Sequence, residues 1–413
     1  MANNTINNLK DAPGVISKMA AAMLADKCQF SKSIDAEDSS IYDGKNGYQS
    51  GDTVQISKPA RFIPTENADI TSDIQDIKEE KVSLTLDIRK VQAIELTSAE
   101  IATEMALKSW TKRVLEPAMS SMAQHIEKTH LERAIDATYN AVGTPGSTTY
   151  DTDLALQMGQ KIDENGCPDF DNRYLLLNPS ANRSAVNARK GLFQSSEEIS
   201  KQYKSGAMGI ADGFTFLRNN LLPTHTNGND TAFEVSTTVS TEGATQIVVE
   251  GLTTSTGTVT KGTVFTVDGV FAVHPITKET LAHLQQFTVK ADATANGSGV
   301  ATLSVSPAIY TAASGGQQTV SAFPADGATI TPLGAASTGY AQSIAFHKSA
   351  FRRVSVPLVR PDGVDMSSQA SEDGFTVRVV RDYNINSDKM IMRLDYLGGF
   401  TDVRPEWSVR GYN

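Results

Sequence analysis

Cysteine is nearly missing from this chain: among 413 residues only Cys28 and Cys167 carry thiols. They stand far apart and outside any CxxC spacing, so neither a disulfide framework nor a thiolate zinc site is expected. Long apolar runs are missing as well. Nothing approaches the roughly 18 consecutive apolar residues of a membrane-crossing helix, and the leader MANNTINNLKDAPG has neither the basic nor the apolar block of a secretory signal. The expectation is a protein without a membrane partner that stays in the compartment where it is made. Positive charge is in deficit, with 37 Lys and Arg against 47 Asp and Glu and a formal net charge of -10. Phosphate is gripped by dense Lys and Arg, so a surface built to hold nucleic acid tightly is excluded.

Catalytic signatures are absent too. His125 and His130 are five residues apart, off the i, i+4 geometry of an HExxH pair. No GxSxG elbow occurs and no acidic cluster has metal spacing. Gly206, Gly209 and Gly213 precede the apolar strand Phe214 to Leu217, whereas a phosphate loop follows a strand and opens a helix; GK[ST] is lacking. No catalytic residue, metal ligand or cofactor is expected, and the chain reads as something other than an enzyme.

What is there is length and pattern. At 39% hydrophobic and 20% charged residues, the chain has room for two or three domains and a sizeable core. The stretch from Thr97 to Asn140 is the beam. Thr97 with Glu100 makes a capping box before the helix-rich run SAEIATEMALKSW. Pro117 then interrupts one helix and suits the first turn of the next. Met119, Met122, Ala123, Ile126, Ala134, Ile135 and Thr138 recur at threes and fours, with Glu127, Lys128, Glu132, Arg133 and Asp136 mostly off that stripe. At ~1.5 Å per residue this second helix would span roughly 35 Å, more than the average globular helix.

Before the beam, Val15, Ile16, Met19, Ala20, Met23 and Leu24 form one short amphipathic helix, either a frayed end or an arm that docks on a neighbouring chain. GDTVQISKPARF and KVSLTLDIRKVQAIEL read as two strands of one long hairpin around an acidic tip. A lone hairpin is marginal in water and Pro59 and Pro64 keep it from a central position. It either covers its own domain or lies on another copy.

After the beam come a helix with Leu154, Met158 and Ile162 closed by Gly166 and Pro168, the strand RYLLL, and a helix opened by Pro179. Near Thr226 the composition changes. No arginine occurs between Arg218 and Arg352, and short Thr-, Ser- and Val-rich strands alternate with turn pairs such as Asp268-Gly269, Asn296-Gly297 and Asp326-Gly327. That pattern predicts a small β-barrel or sandwich, inserted because mixed segments flank it. Beyond it PLVRPDGVDMSSQASED reads as a loop. Phe375, Val377 and Val379, then Met390, Met392, Leu394 and Tyr396, alternate on a hairpin turned at Asn384 to Ser387 and broken by Gly398-Gly399.

This order of elements resembles the major capsid proteins of tailed bacteriophages, the Hong Kong 97 fold, and more closely the coat proteins of short-tailed phages of the P-twenty-two type. GDTVQISKPARF resembles their first extended-loop strand and KGTVFTVDGVFAV a strand pair of their inserted domain. AFHKSAFRRVSVPL with DGFTVRVVRDYNINSDKMIMRLDYLGGFTDVRPE resembles their carboxy-terminal segment. The resemblance implies an α+β capsid fold divided into an N-terminal arm (1–45), an extended loop hairpin (46–96), the spine helix and peripheral domain (97–150), the first part of an axial domain (151–225), an inserted barrel (226–340) and the rest of the axial and peripheral domains (341–413). It implies many copies in hexamers and pentamers of an icosahedral shell, a scaffolding protein, a portal protein and packaged double-stranded DNA bound without sequence specificity. The virion, and the host cytoplasm during assembly, would be its locations. Lys58, Arg61 and the acidic tip with Glu66, Asp73, Glu79 and Glu80 are the expected inter-subunit contact. A secreted adhesin-like β protein, suggested by the Thr-, Ser- and Gly-rich centre, is opposed by the missing signal and the helical flank.

Overall fold

The computed structural model describes residues 13–36, 51–59, 61–62, 64, 71, 74, 77, 79–97, 111–146, 150, 152–167, 171–188, 209–385 and 389–412. The chain divides into two compact units. One comprises Met1–Ile56, Val82–His130 and Phe351–Thr401; the other comprises Ser57–Lys81, Leu131–Ala350 and Asp402–Asn413.

The first unit is built on a six-stranded sheet in the order Asp35–Ala36, Phe351–Ser355, Lys389–Asp402, Phe375–Asn384, Met366–Glu372, with Ile88–Thr97 also paired to Lys389–Asp402. The alternation read in the sequence sets the core face: Val377, Val379, Met392, Leu394 and Tyr396 are all buried. Helix Pro13–Lys27 lies on strands Met366–Glu372 and Phe375–Asn384, burying Ala20, Ala21, Leu24 and Ala25, so this helix is packed on its own chain. Four expectations change. Thr97 is no helix cap; it ends a strand opposite Lys389, while Glu100 and the helix expected up to Trp110 lie outside the described residues. The strand expected from Lys81 to Leu96 divides at Leu86-Asp87, and only Lys81–Thr85 stays in the two-stranded hairpin with Thr53–Ser57. The supposed loop contains strand Met366–Glu372, in register with Phe375–Asn384 from Met366 opposite Arg381 to Glu372 opposite Phe375. Gly398-Gly399 does not break its strand. A Cβ on Gly399 would stand 2.5 Å from the Thr85 carbonyl oxygen and 2.8 Å from Leu84 Cδ2, so the glycine lets the hairpin base pack flat. Ile56, Leu84 and Leu86 meet Val354, Val356 and Leu397 there, which settles the base of the hairpin on its own unit.

A five-residue π-helical turn, Thr111–Leu115, leads into the spine helix Glu116–Ala137. Pro117 sits in its first turn, where no amide is needed. The expected stripe is buried throughout, from Met119 to Thr138. Glu127 departs from the expectation of an off-stripe residue: it is 2% exposed, because the chain supplies its carboxylate with amide donors.

The second unit holds a seven-stranded mixed sheet in the order Ala141–Gly143, Ser408–Tyr412, Gly339–His347, Arg173–Leu177, Phe214–Arg218, Ile210–Ala211, with Thr224–Thr226 also on Gly339–His347. Helix Thr152–Glu164 buries Leu154, Met158 and Ile162 against it. It approaches so closely that a Cβ on Gly411 would lie 1.8 Å from the Met158 methyl. The inserted region is a closed six-stranded barrel: Phe233–Val235, Ala244–Glu250, Ala301–Ile309, Thr280–Val289, Val264–Val273 and Thr329–Pro332. Its inward residues, among them Val235, Ile247, Val267, Leu303 and Ile330, are buried, and the rings of Phe265 and Phe287 stack at 5.7 Å. Asp268-Gly269 is not the turn that was expected. It sits within one strand where the register shifts between Thr266 and Phe271, and Gly269 at φ +76° makes the bulge.

Candidate inter-subunit interface

Of the six expected contact residues, Lys58, Arg61, Glu79 and Glu80 are described; Glu66 and Asp73 lie outside the described residues. The strap that carries them, Ser57–Lys81, is closed at its base on itself and tied to its own unit through Arg61. The Lys58 amide donates to the Glu80 carbonyl at 2.7 Å, and the Lys58 ammonium stands 3.6 Å from the Glu80 carboxylate. Arg61 Nη2 donates to Glu406 Oε1 at 2.9 Å. Glu406 is itself positioned from below, since the Asn140 amide donates to the Glu406 carbonyl at 3.1 Å and to that of Ser408 at 3.2 Å. Beside the pair the Tyr139 phenol is held well above its ordinary value, by burial first and then by the Glu406 charge. The Arg61 carbonyl lies where a Cβ on Gly316 would come within 2.5 Å. Lys278 Nζ donates to the Gly316 and Gln318 carbonyls at 2.8 and 3.3 Å, and burial, then the Arg61 charge, pushes it down to about 8. Phe62, Ile74 and Ile77 on the strap are 56%, 76% and 73% exposed.

Two buried charged clusters were not anticipated. In the first unit Glu127 accepts from the Phe30 and Ser31 amides and from Ser31 Oγ, while Ser31 Oγ also meets His130 Nδ1 at 2.7 Å. Arg353, 2% exposed, donates from the other side to the Ser31 carbonyl and to those of Gly374 and Asp373 at 2.8 Å each. An anion on the amides and a cation on the carbonyl thus clamp one short stretch of the arm. The signal for Arg353 was its register: in Phe351–Ser355 it shares the face of buried Phe351. In the second unit Arg410 donates to the Gly262 carbonyl and to Thr288 Oγ1 at 2.6 and 3.1 Å, joining the barrel to the sheet. Gln286 bonds both the amide and the carbonyl of Ala141 at 2.8 Å, and Lys261 pairs with Asp136 at 2.8 Å.

Among the described residues no group of His, Cys, Asp or Glu has the arrangement to hold a metal ion. No described helix is long and apolar enough to cross a membrane. A spine helix, an extended hairpin, an open sheet carrying the arm, and a closed barrel inserted into a second sheet together define a structural protein, a major capsid protein of the Hong Kong 97 type. The sequence matches the family model described as "P22 coat protein - gene protein 5" over residues 36–410, and the chain belongs to that family. It forms a multi-copy shell and is a component of the virion. Similar solved structures include Mycobacterium phage Che8, with 12% identity, 93% of this chain and 90% of that chain covered, and a TM-score of 0.45. The capsid of the Cyanophage P-SCSP1u has 12% identity, coverage of 89% and 84%, and a TM-score of 0.43. The capsid of Ralstonia phage GP4 has 7% identity, coverage of 88% and 84%, and a TM-score of 0.43. No curated protein matches the chain.

Proposed function

We propose that this coat protein assembles, with a scaffolding protein and around a portal vertex, into the hexamers and pentamers of an icosahedral shell that encloses double-stranded DNA. Assembly takes place in the host cytoplasm, and the residue ranges given above as arm, loop, peripheral, axial and inserted domains are its working parts. It acts by binding copies of itself and performs no catalysis. The observation that carries the reading is the coat-family match over 36–410. A closed shell needs heterologous contacts that close, and many modest interfaces stabilise it without one being very tight. The net charge of -10 suits a container that packs DNA and lets it leave, since weak phosphate attraction keeps release possible.

Within this reading the strap is the inter-subunit element, with Lys58, Arg61 and the acidic stretch Glu66 to Glu80 at the contact. Its exposed Phe62, Ile74 and Ile77 give it apolar surface that a second copy would cover. Arg61→Glu is expected to block particle formation while leaving the circular dichroism spectrum of the subunit that of a folded chain, with melting lowered by no more than the loss of one partly exposed ion pair, about 1 kcal/mol. Negative-stain imaging of the overexpressed protein, with and without scaffold, reads the result. Normal shells from the variant refute the assigned contact, and the absence of particles hundreds of Å across from the wild type under both conditions refutes the assembly reading.

A further inference from the structure

Lys58, Arg61 and Glu80, expected to reach a neighbouring copy, are occupied inside the subunit. Arg61 is bonded to Glu406, 345 positions away in sequence, at 2.9 Å. That pair is partly withdrawn from water, with side-chain exposures of 39% and 13%, so it is screened less than a pair on open surface. Backbone contact accompanies it: the Arg61 carbonyl rests on Gly316 of the barrel, where any β-carbon would collide at 2.5 Å. The Gly316 carbonyl is in turn held by Lys278, which keeps the receiving loop in place. The strap therefore has a built seat on its own unit, made of one charge partner beside the seven-stranded sheet, Glu406, and one barrel position without a side chain, Gly316.

We propose that Arg61, Glu406 and Gly316 form an intramolecular latch that holds the base of the strap on the subunit's own sheet and barrel and must open before the strap engages a second copy. The latch rests on the assignment of the strap as the inter-subunit element. Its effect is a conformational tax on assembly: only the open fraction is competent, so the concentration needed for shell formation is raised by the inverse of that fraction. Salt weakens the charge pair, so the tax falls as ionic strength rises.

Two variants of the full-length chain open the latch by unrelated means and leave Arg61 in place. Glu406→Gln removes the charge partner, and Gly316→Ala inserts a methyl group under the Arg61 carbonyl. In the unassembled subunit both are expected to speed tryptic cleavage after Arg61 by about two- to fivefold, the range of a partly exposed ion pair, with unchanged circular dichroism. Both are expected to lower the threshold concentration for particles, read by light scattering, by a similar factor at low salt and by less at high salt. Unchanged cleavage in both variants overturns the latch. Faster cleavage with a raised threshold also overturns it, because the seated strap would then be the competent form. Normal assembly of Arg61→Glu would instead sink the contact assignment, whatever these two variants do.

Discussion

In the barrel, six strands drawn from one continuous stretch, 233–332, close around Val, Ile, Leu, Phe and Ala side chains, with no ionisable group in the cluster. The sheet of the first unit is gathered from three distant segments, and its interior carries Glu127, His130, Arg353 and Asp395. Asp395, fully buried, lies between Arg378 and Arg393. The difference follows from how each core is closed. Adjacent antiparallel strands satisfy one another's backbone groups as they pair, so apolar filling is sufficient. A short arm laid over a sheet brings unpaired amides and carbonyls with it, and buried charges answer them. Local sequence order permits an oil-like core; long-range assembly here uses ions as fasteners.

The contrast is broken most directly at Arg353. Replacing it with Met leaves the Ser31, Asp373 and Gly374 carbonyls without their donor, and at about 1–3 kcal/mol for each buried acceptor left unmet the loss is about 3 kcal/mol or more. Urea unfolding of Arg353→Met is expected to show that loss; a loss below about 1 kcal/mol would mean that the clamp is ornamental and the two cores are alike. In the barrel, Phe287→Ala is expected to cost about 3 kcal/mol through the cavity beside Phe265. A 226–340 fragment should fold alone with a β spectrum that this substitution abolishes, and an unfolded wild-type fragment would show that the barrel, too, depends on distant segments. The smallest expected effect is at His225, where the second unit does carry charge. Burial, then the Arg410 guanidinium, pushes its imidazole down to about 4 from 6.5. Between these values the unfolded chain takes up a proton that the folded chain refuses, so stability falls as pH drops from 6.5 to 4, by roughly 2 kcal/mol. His225→Gln should flatten that part of the pH profile in thermal melts, and an unchanged slope would assign it to other groups.

Features of short range were legible in the sequence. Alternation gave the strands at Phe375 and Met390, threes and fours gave the spine helix, and the sudden loss of arginine after Arg218 marked the inserted barrel. Three of the errors are of one physical kind. Gly398-Gly399 looked like a break because its reason, the Thr85 carbonyl, lies more than 300 residues earlier. Met366–Glu372 looked like a loop because Ser, Gln and Glu take strand form only when a partner strand is present. Glu127 looked exposed because the amides of Phe30 and Ser31 that satisfy it are 97 and 96 positions away. At the strap, Lys58 and Arg61 were visible as charges, but Glu406 as the seat for Arg61 had no local signature at all.

Closure of the barrel has a consequence for the crowded conditions in which a coat protein accumulates. A sheet that ends in an unpaired strand offers a template of free amides and carbonyls to any other chain. The six-membered ring of strands from Phe233–Val235 through Thr329–Pro332 has no such end. A ring of this kind is closed to strand addition by its neighbours, so the many copies of a shell, packed side by side, can touch through chosen side chains without fusing these barrels through their backbones.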